Sequence, residues 1–167
     1  PQEYIMNVGI FTDCYKPTKN GVVTSIVQLK EGLERRGHKV IILTVKTPHY
    51  NEQDPTIYRF PSIPFNSAIE IRIGLVNQRS VNRIVQHEQL DMLHTHTEFS
   101  LGWAAKWAAR SMNLPLIHTA HTMYAAYRHY LVFGKLVSAK MIQRWLTWFL
   151  CGYNVLVCPS QKAHTYF

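Results

Sequence analysis

The sequence predicts an α/β fold, a parallel sheet with helices on both faces, and three features lead to this prediction. Two short apolar runs, YIMNVGIF (4–11) and KVIILTV (39–45), have the composition of buried strands. Between them, Ile26, Leu29 and Leu33 recur at helical spacing. A strand, a helix and a strand within about 45 residues form a βαβ unit, whose strands run parallel and are joined by a right-handed crossover.

Sequence signals mark both ends of the first helix. Asn20-Gly21 indicates a turn before the helix, and the helical pattern of apolar residues is clear from Thr24. Arg35 lies in the expected last turn, and Gly37 stands where glycine commonly follows the end of a helix.

The rest of the chain continues the alternation of strands and helices. The predicted strands are TIYRF (56–60), LDMLH (90–94), LPLIHTA (114–120) and NVLVCPS (154–160), and the predicted helices cover 77–88, 100–112 and 135–150. Four prolines interrupt residues 46–76, so TIYRF is the one strand predicted there. Ser100 is expected to cap its helix. A helix should follow Ser160, but the sequence ends seven residues later, and we interpret the chain as one half of a larger protein.

Composition narrows the class of protein. Apolar residues make up 47% of the chain and charged residues 17%, which excludes a disordered or fibrous protein. The three cysteines are odd in number and have no C-x-x-C spacing, so they favour a reducing cytosol over a disulfide framework or structural zinc. The sequence shows no signal-peptide pattern and no run of the roughly 18–20 apolar residues that a spanning helix needs. We therefore expect a soluble or membrane-surface protein.

The net charge of +8 predicts an anionic partner, which could be nucleic acid, an acidic membrane or a phosphorylated substrate. Cationic and aromatic residues concentrate in segment 127–153, which can be an ordinary helix packed on the sheet or an interfacial helix. Under the second interpretation the membrane-facing residues are Arg128, Lys135, Lys140, Arg144, Trp145 and Trp148. Nucleic acid is less favoured, because no nucleic-acid-binding motif accompanies the charge.

Polar residues follow several predicted strands at the point where each strand ends. Thr12-Asp13, the stretch from His94 to Glu98, the stretch from His118 to Thr122, and Ser160 all occupy such positions. The carboxyl ends of parallel strands share one edge of the sheet, where open α/β sheets bind their ligands. We therefore predict a cleft formed by these loops.

The histidines of these loops allow three interpretations. His94 and His96 form an H-x-H and His118 and His121 an H-x-x-H, spacings that a metal site could use. No H-E-x-x-H helix is present, and we expect no metal. Purely structural histidines are the second interpretation, and a substrate-facing role for at least one of them is the third and the preferred one. Asn20-Gly21 before a helix is a weak phosphate-binding signal, and the full G-x-G-x-x-G is absent.

Six segments together resemble the N-terminal half of retaining GT-B glycosyltransferases (glycosyl transferase group 1, family 4-like), especially the group that glucosylates diacylglycerol. They are VGIFTDCYKPTKNGVVTSI (8–26), GHKVIILT (37–44), RFPSIPF (59–65), LDMLHTHTEFSLG (90–102), PLIHTAHTMYAAYRHY (115–130) and VCPSQK (157–162). They occur in family order over almost the whole chain. The first loop departs from the glycine pair common in the family, since Asn20 precedes Gly21.

The resemblance implies that residues 1–167 are a Rossmann-like, acceptor-side domain, and that a missing C-terminal domain holds most of the nucleotide-sugar site. It implies His121 as the catalytic residue touching the transferred sugar, and Gly21 with Asn20 as donor-binding residues. The residues it implies for acceptor binding are Asp13, Glu98, Thr122, Tyr124 and Tyr127.

The same resemblance implies a hexosyltransferase that moves glucose from UDP-glucose to diacylglycerol or a glycolipid. The expected partners are a nucleotide sugar, a lipid acceptor, an anionic membrane and the chain's own C-terminal domain, with no cofactor and no nucleic acid. The expected location is cytoplasmic, peripheral on the inner face of the cell membrane, and the 167-residue chain alone is expected to be inactive. Alternatives are a membrane-binding module without catalysis, or a transferase acting on a soluble sugar or inositol phosphate.

Overall fold

The computed structural model describes residues 4–66, 71–121 and 138–159, which contain a six-stranded parallel sheet in the order β3-β2-β1-β6-β7-β8. The strands are β1 (Asn7–Phe11), β2 (Lys39–Val45), β3 (Ile57–Phe60), β4 (Ser62–Asn66), β5 (Ile71–Gly74), β6 (Met92–Thr95), β7 (Leu116–Thr119) and β8 (Val155–Val157). The helices are α1 (Gly21–Arg35), α2 (Gln78–His87), α3 (Ser100–Met112) and α4 (Ala139–Leu150). The predicted α/β fold is confirmed, and the order of the strands is Rossmann-like.

The strand order places a topological switch between β1 and β6. The chain builds the sheet outward from β1 through β2 and β3, and then returns to add β6, β7 and β8 on the other side. β1 pairs in parallel with both β2 and β6, with Phe11 aligned to Leu43 on one side and to Thr95 on the other. Loops leaving β1 and β6 therefore diverge at the carboxyl edge and leave a crevice between them.

Helices cover both faces of the sheet, which explains why the strands are continuous runs of apolar residues. Successive residues of β2 alternate between two buried clusters. Ile41 and Leu43 belong to the cluster beneath α2 and α3, whereas Val40 and Ile42 belong to the cluster beneath α1, which includes Ile26. The prediction of helices on both faces is confirmed.

The ends of α1 follow the predicted signals, with an earlier start. The side chain of Asn20 accepts a hydrogen bond from the backbone N–H of Val23 at 2.9 Å, so the helix begins at Gly21 and not at Thr24. At the other end Gly37 has φ of 85°, the left-handed conformation for which glycine was predicted.

The prediction that Ser100 caps α3 is wrong. Ser100 is the first helical residue and Phe99 occupies the cap position, where its side chain makes no capping hydrogen bond. No side chain near the start of α3 takes this role, because the backbone N–H of Leu101 in the first turn donates to the carboxylate of Asp13, just after β1.

The sequence did not predict the antiparallel ribbon that β4 and β5 form. Its two strands pair outside the main sheet, with a register shift between Pro64 and Asn66. Proline has no backbone N–H, so it disrupts the sequence pattern by which a strand is predicted. A two-stranded ribbon tolerates it, because both of its strands are edge strands. The backbone N–H of Gly74 donates to Ser100 Oγ at 2.7 Å, so the ribbon is attached to the start of α3.

Within the described ranges, no helix combines the length and the apolar character that crossing a bilayer would require.

We predict that Gly102→Ala destabilises the fold while Gly32→Ala does not. A Cβ at Gly102 would lie 2.2 Å from the backbone oxygen of Thr97 and 3.0 Å from the ring of Phe149, so α3 must move away from the loop after β6. The expected loss is about 1–3 kcal/mol in the free energy of unfolding. At Gly32, also inside a helix, a Cβ meets only the end of Arg35 at 3.8 Å, and alanine should stabilise by about 0.5–1 kcal/mol. Urea denaturation followed by circular dichroism measures both, and equal effects would contradict the close packing of α3.

Candidate active site

Three loops at the carboxyl edge of the sheet come together because their strands are neighbours. β1 continues into Thr12-Asp13, β6 into the loop from His96 to Glu98, and β7 into Ala120-His121. The backbone N–H of His96 donates to the carbonyl oxygen of Phe11 at 2.9 Å, which joins the first two loops directly. Three of the four loops that the sequence predicted to converge are therefore adjacent, and the fourth, at Ser160, lies outside the described residues.

The carboxylate of Asp13 is buried and holds the start of α3. Its Oδ2 accepts a hydrogen bond from Thr97 Oγ1 at 2.7 Å, its Oδ1 accepts one from Ser100 Oγ, and both oxygens lie 3.2 Å from the backbone nitrogen of Leu101. Its own backbone N–H donates to Thr97 Oγ1 at 2.8 Å. Asp13 thus caps α3 from the opposite side of the crevice and supplies the negative charge that a helix N-terminus favours.

This arrangement gives Asp13 a positioning role. Its residue exposure is 4%, and each carboxylate oxygen is already engaged by donors of the chain. Burial raises the pKa of Asp13 from 3.8 to about 6, although the hydrogen bonds from Ser100, Thr97 and Leu101 act in the opposite direction. The predicted contact of Asp13 with an acceptor stays a prediction.

Two buried histidines are held by threonine hydroxyls of the neighbouring strand. His94 Nε2 lies 2.8 Å from Thr119 Oγ1, and His118 Nδ1 lies 2.7 Å from Thr95 Oγ1. The other ring nitrogen of His118 is 3.3 Å from a carboxylate oxygen of Glu98, which is itself buried. Reciprocal pairing across β6 and β7 fixes these rings beneath the loops and gives Glu98 a place in the wall of the site.

His96 and His121 form a direct pair between the two loops. His96 Nδ1 lies 2.9 Å from His121 Nε2, and the ring of His96 also lies near that of His94, with centroids 4.3 Å apart. The rings of His94 and His96 therefore lie on the same side, as residues two apart do in an extended strand. His121 is half-buried and is the histidine of the group nearest to solvent.

Desolvation favours the uncharged form of His94, His96 and His121. Burial lowers the pKa of His94 to about 4 and that of His96 well below its ordinary value of 6.5, and neighbouring histidines lower both further. Burial also lowers the pKa of His121, against an upward effect of Glu98. Neutral imidazole nitrogens and threonine hydroxyls both donate and accept hydrogen bonds, which suits uncharged polar ligands such as sugar hydroxyls.

The N-terminus of α1 is open space at the same edge. A Cβ added at Gly21 would meet nothing within 4 Å, and the residue is exposed. Asn20 is engaged in the fold, because its Oδ1 caps α1 and its Nδ2 donates to Cys14 Sγ at 3.2 Å. Free N–H groups at such a terminus attract phosphate oxygens, so the predicted donor contact has room at Gly21, while the side chain of Asn20 shapes the turn.

The predicted membrane-facing helix is amphipathic in the structure. Ile142, Leu146 and Phe149 are buried, while Trp148 is 64% exposed, and Lys140 and Arg144 are exposed. One face packs on the domain, as the first interpretation of this helix expects. Another face is open to solvent, and its contact with a membrane stays a prediction.

The exposed face of α4 continues onto α3. The rings of Trp103 and Trp148 lie 4.3 Å apart, and Trp107 is 57% exposed beside them. Lys106 donates to the carbonyl oxygens of Trp148 and Phe149, at 3.0 and 2.6 Å, and so joins the two helices. We call Trp103, Trp107, Lys140, Arg144 and Trp148 the aromatic-basic surface.

Some predicted residues are not described. Thr122, Tyr124, Tyr127, Arg128 and Lys135 lie outside the described residues, so their predicted roles stay predictions. The predicted role of Trp145 also stays a prediction, and its half-buried ring lies 6.3 Å from the ring of Phe99.

Sequence reasoning assigned no role in the site to several residues that hold it together. They are Thr97, Ser100 and Thr119, which bind Asp13 or a histidine, and Trp103, Lys106 and Trp107, which extend the aromatic-basic surface. The available signal was the repeated occurrence of His and Thr together in HTHT (94–97) and HTAHT (118–122). In the parallel pair of β6 and β7, a threonine of each strand lies beside a histidine of the other.

No group of three or more His, Cys, Asp or Glu side chains is arranged to hold a metal ion in the part of the chain that the structure describes.

A Rossmann-like sheet with a polar, histidine-rich carboxyl edge defines a ligand-binding α/β domain, and sequence comparison identifies its family. The chain belongs to Glycosyltransferase Family 4, which it matches over residues 19–167. It is 40% identical over 157 residues to an alpha-monoglucosyldiacylglycerol synthase of Streptococcus pneumoniae, covering 93% of this chain and 36% of that protein. It is 41% identical over 128 residues to the synthase of the same description from Acholeplasma laidlawii, covering 75% and 32%.

More distant similarities agree with the fold. The chain is 28% identical over 120 residues to a phosphatidyl-myo-inositol mannosyltransferase of Mycobacterium tuberculosis, covering 70% of this chain and 32% of that protein. Among solved structures, a glycosyltransferase from Rickettsia africae aligns with a TM-score of 0.62 at 17% identity, covering 98% of this chain and 39% of that one. The chain spans about a third of the length of the curated relatives that it matches.

We predict that the stability of the wild type relative to Asp13→Asn rises as the pH falls. A carboxyl whose pKa is raised from 3.8 to about 6 stabilises the fold fully below the lower value, and this contribution is lost as the pH rises through the higher one. Since each pKa unit corresponds to about 1.4 kcal/mol, the difference in unfolding free energy should change by about 2.4 kcal/mol between pH 7 and pH 4.

Urea denaturation of both variants at several pH values measures this difference, because titration of the other groups cancels between them. A difference that is independent of pH would show that the Asp13 carboxyl titrates normally.

Proposed function

We propose that this chain is the acceptor-side domain of a retaining glycosyltransferase that moves glucose from UDP-glucose to diacylglycerol or a glycolipid. The observation that carries the choice of a lipid acceptor is the 40% identity to an alpha-monoglucosyldiacylglycerol synthase over almost the whole chain. Because the chain spans about a third of such relatives, a second domain is proposed to hold most of the nucleotide sugar. No metal or cofactor enters this proposal beyond the sugar donor.

The proposed reaction joins an acceptor hydroxyl to the anomeric carbon of glucose on the face from which UDP departs. The C–O bond to the phosphate breaks as the new C–O bond forms, and a leaving phosphate oxygen takes the hydroxyl proton. His121 contacts and orients the transferred sugar. Its uncharged imidazole tolerates the positive charge that develops at the anomeric carbon, which an imidazolium would oppose.

Gly21 is proposed to let the donor pyrophosphate approach the N-terminus of α1. Support comes from the open space at this position, where a side chain would meet nothing inside the domain. Backbone N–H groups at a helix start, together with the partial positive charge of the helix, stabilise phosphate oxygens.

The aromatic-basic surface is proposed to bring the domain to the inner face of the cell membrane from the cytoplasm. Lys140 and Arg144 offer charge to anionic headgroups, and the exposed rings of Trp107 and Trp148 suit the interface between headgroups and acyl chains. This surface also favours the alternative of a membrane-binding module without catalysis. The similarity to a phosphatidyl-myo-inositol mannosyltransferase supports an inositol phosphate headgroup as a different acceptor.

We predict that His121→Ala, in the protein that includes the second domain, lowers kcat at least about 100-fold. Loss of one positioned contact in a transition state costs ~3–4 kcal/mol, which corresponds to this factor. The measurement is UDP release with UDP-glucose and diacylglycerol in mixed micelles. His87→Ala, which removes an exposed histidine on α2, is the control and should leave turnover unchanged. Turnover near the wild-type level in His121→Ala would remove this residue from the mechanism.

We predict that the double substitution Lys140→Gln with Arg144→Gln weakens binding to phosphatidylglycerol-containing vesicles by about 30-fold. The dissociation constant is measured by vesicle sedimentation. Each cation near an anionic surface contributes about 1 kcal/mol, and salt should reduce the difference. The control is Arg79→Gln with Arg83→Gln, which removes the same charge from the exposed side of α2.

Equal losses of vesicle binding in the two double variants would indicate that binding depends on net charge alone and not on the aromatic-basic surface. Vesicle binding without UDP release by the wild type would support the membrane-binding module and contradict the enzyme.

A further inference from the structure

The contact between His96 and His121 leaves one nitrogen of each ring outside the pair. His96 Nδ1 and His121 Nε2 are 2.9 Å apart. His96 Nε2 is buried and has no hydrogen-bond partner in the described parts of the chain. The remaining nitrogen of His121, Nδ1, belongs to a half-buried side chain at the carboxyl edge. Two neutral rings joined by one hydrogen bond share one proton, so the ring that donates it determines the tautomer of both.

Two arrangements of that proton are possible, and burial distinguishes them. If His121 donates from Nε2, His96 must carry its own proton on Nε2, which places an N–H group in the interior with no acceptor. If His96 donates from Nδ1, its Nε2 carries only a lone pair. Buried N–H groups without a partner are rarer in proteins than acceptors without one, so the second arrangement is favoured.

We propose that His96 is a positioning residue that holds His121 in the neutral tautomer with its proton on Nδ1. His121 then presents an N–H donor to an oxygen of the bound sugar. This inference rests on the proposed function for the identity of that oxygen, but the tautomer itself is a property of the two side chains.

The position of His96 is fixed from three sides. Its backbone N–H donates to the carbonyl oxygen of Phe11, its ring lies against that of His94, and its ring centroid is 5.2 Å from that of His121. A ring held in this way cannot turn away when His121 changes its protonation state. The orientation that His96 imposes is therefore built into the fold.

The pair also opposes protonation of His121. A second proton would be added at Nε2, directly opposite the Nδ1–H of His96, and His96 could yield only by moving its proton to a nitrogen without an acceptor. Among the described residues, the other titratable groups that act on the pair are His94 from β6, His118 from β7 and Glu98 from the loop after β6. Glu98 acts in the opposite direction, because its charge favours a protonated His121.

The first test uses NMR of the full protein with selectively 15N-labelled histidine. In the wild type we expect His121 to show a protonated Nδ1 and an unprotonated Nε2. In His96→Leu, which has a similar volume but no nitrogen, the tautomer should shift toward Nε2–H. His96→Asn should retain the Nδ1–H form, since its amide can donate to Nε2. His87→Leu removes an exposed histidine on α2 that contacts neither ring of the pair, and it should leave the tautomer of His121 unchanged.

The second test is kinetic. His96→Leu should lower kcat about tenfold with little change in KM, as expected for one hydrogen bond misplaced in the transition state, and His96→Asn should recover most of the loss. The acid limb of the kcat profile should move to higher pH in His96→Leu. Its thermal stability should not fall, because leucine also removes the unpaired Nε2.

These readouts separate the inference from the proposed function. A wild-type His121 with its proton on Nε2, or a tautomer that is the same in His96→Leu, would overturn the role of His96 whatever the activity. Normal turnover of His121→Ala would reject the proposed role of His121, and the NMR result would still decide whether His96 sets the tautomer. A loss of activity in His96→Leu that tracks a loss of thermal stability, without rescue by His96→Asn, would indicate a merely structural residue.

Discussion

The buried carboxylate of Asp13 is the interaction on which the arrangement of the cleft depends. It lies at the end of the first strand and accepts hydrogen bonds from Thr97, Ser100 and the backbone N–H of Leu101, all of which are more than 80 positions away in sequence. Because Ser100 also accepts from Gly74, the same network reaches the β4–β5 ribbon. The side chain of Asp13 therefore joins the loop after β1 to the loop after β6 and to the start of α3. Because burial disfavours the charged form of Asp13, its hydrogen bonds stabilise the cleft only while every donor remains in place.

The histidine cluster follows from the same packing. With α3 held close to the loop after β6, the rings of His94, His96 and His118 are enclosed and lose contact with water. Desolvation then lowers the pKa values of His94 and His96, so these two rings supply hydrogen-bonding groups to the site without adding cationic charge. The positive charge of the domain lies elsewhere, and part of it lies on the aromatic-basic surface. This separation suits a protein that recognises an uncharged sugar at one site and an anionic surface at another.

Part of the site was predictable because periodicity and strand ends are local properties. The alternation of apolar runs and helical spacing predicted which loops meet at the carboxyl edge, and it included Asp13, Glu98 and His121 among the residues there. It could not predict the function of Asp13 as a helix cap, because the capped residue, Leu101, lies 88 positions further along the chain. The same limit explains why Ser100 was expected to cap α3. A local rule assigns a cap from the nearest suitable side chain, and here a distant carboxylate took that place.

The sequence by itself determined the fold class, the family and the edge of the sheet where the polar loops meet, because each depends on residue types at short, regular spacings. Only the tertiary structure decided which polar side chains are available to a ligand and which are hydrogen-bonded within the domain. It engaged Asp13 and Asn20 in capping, left Gly21 open, and brought His96 against His121. The physical reason is that burial and hydrogen-bond partners are set by contacts between distant segments, and the same contacts shift the pKa values of Asp13, His94, His96 and His121.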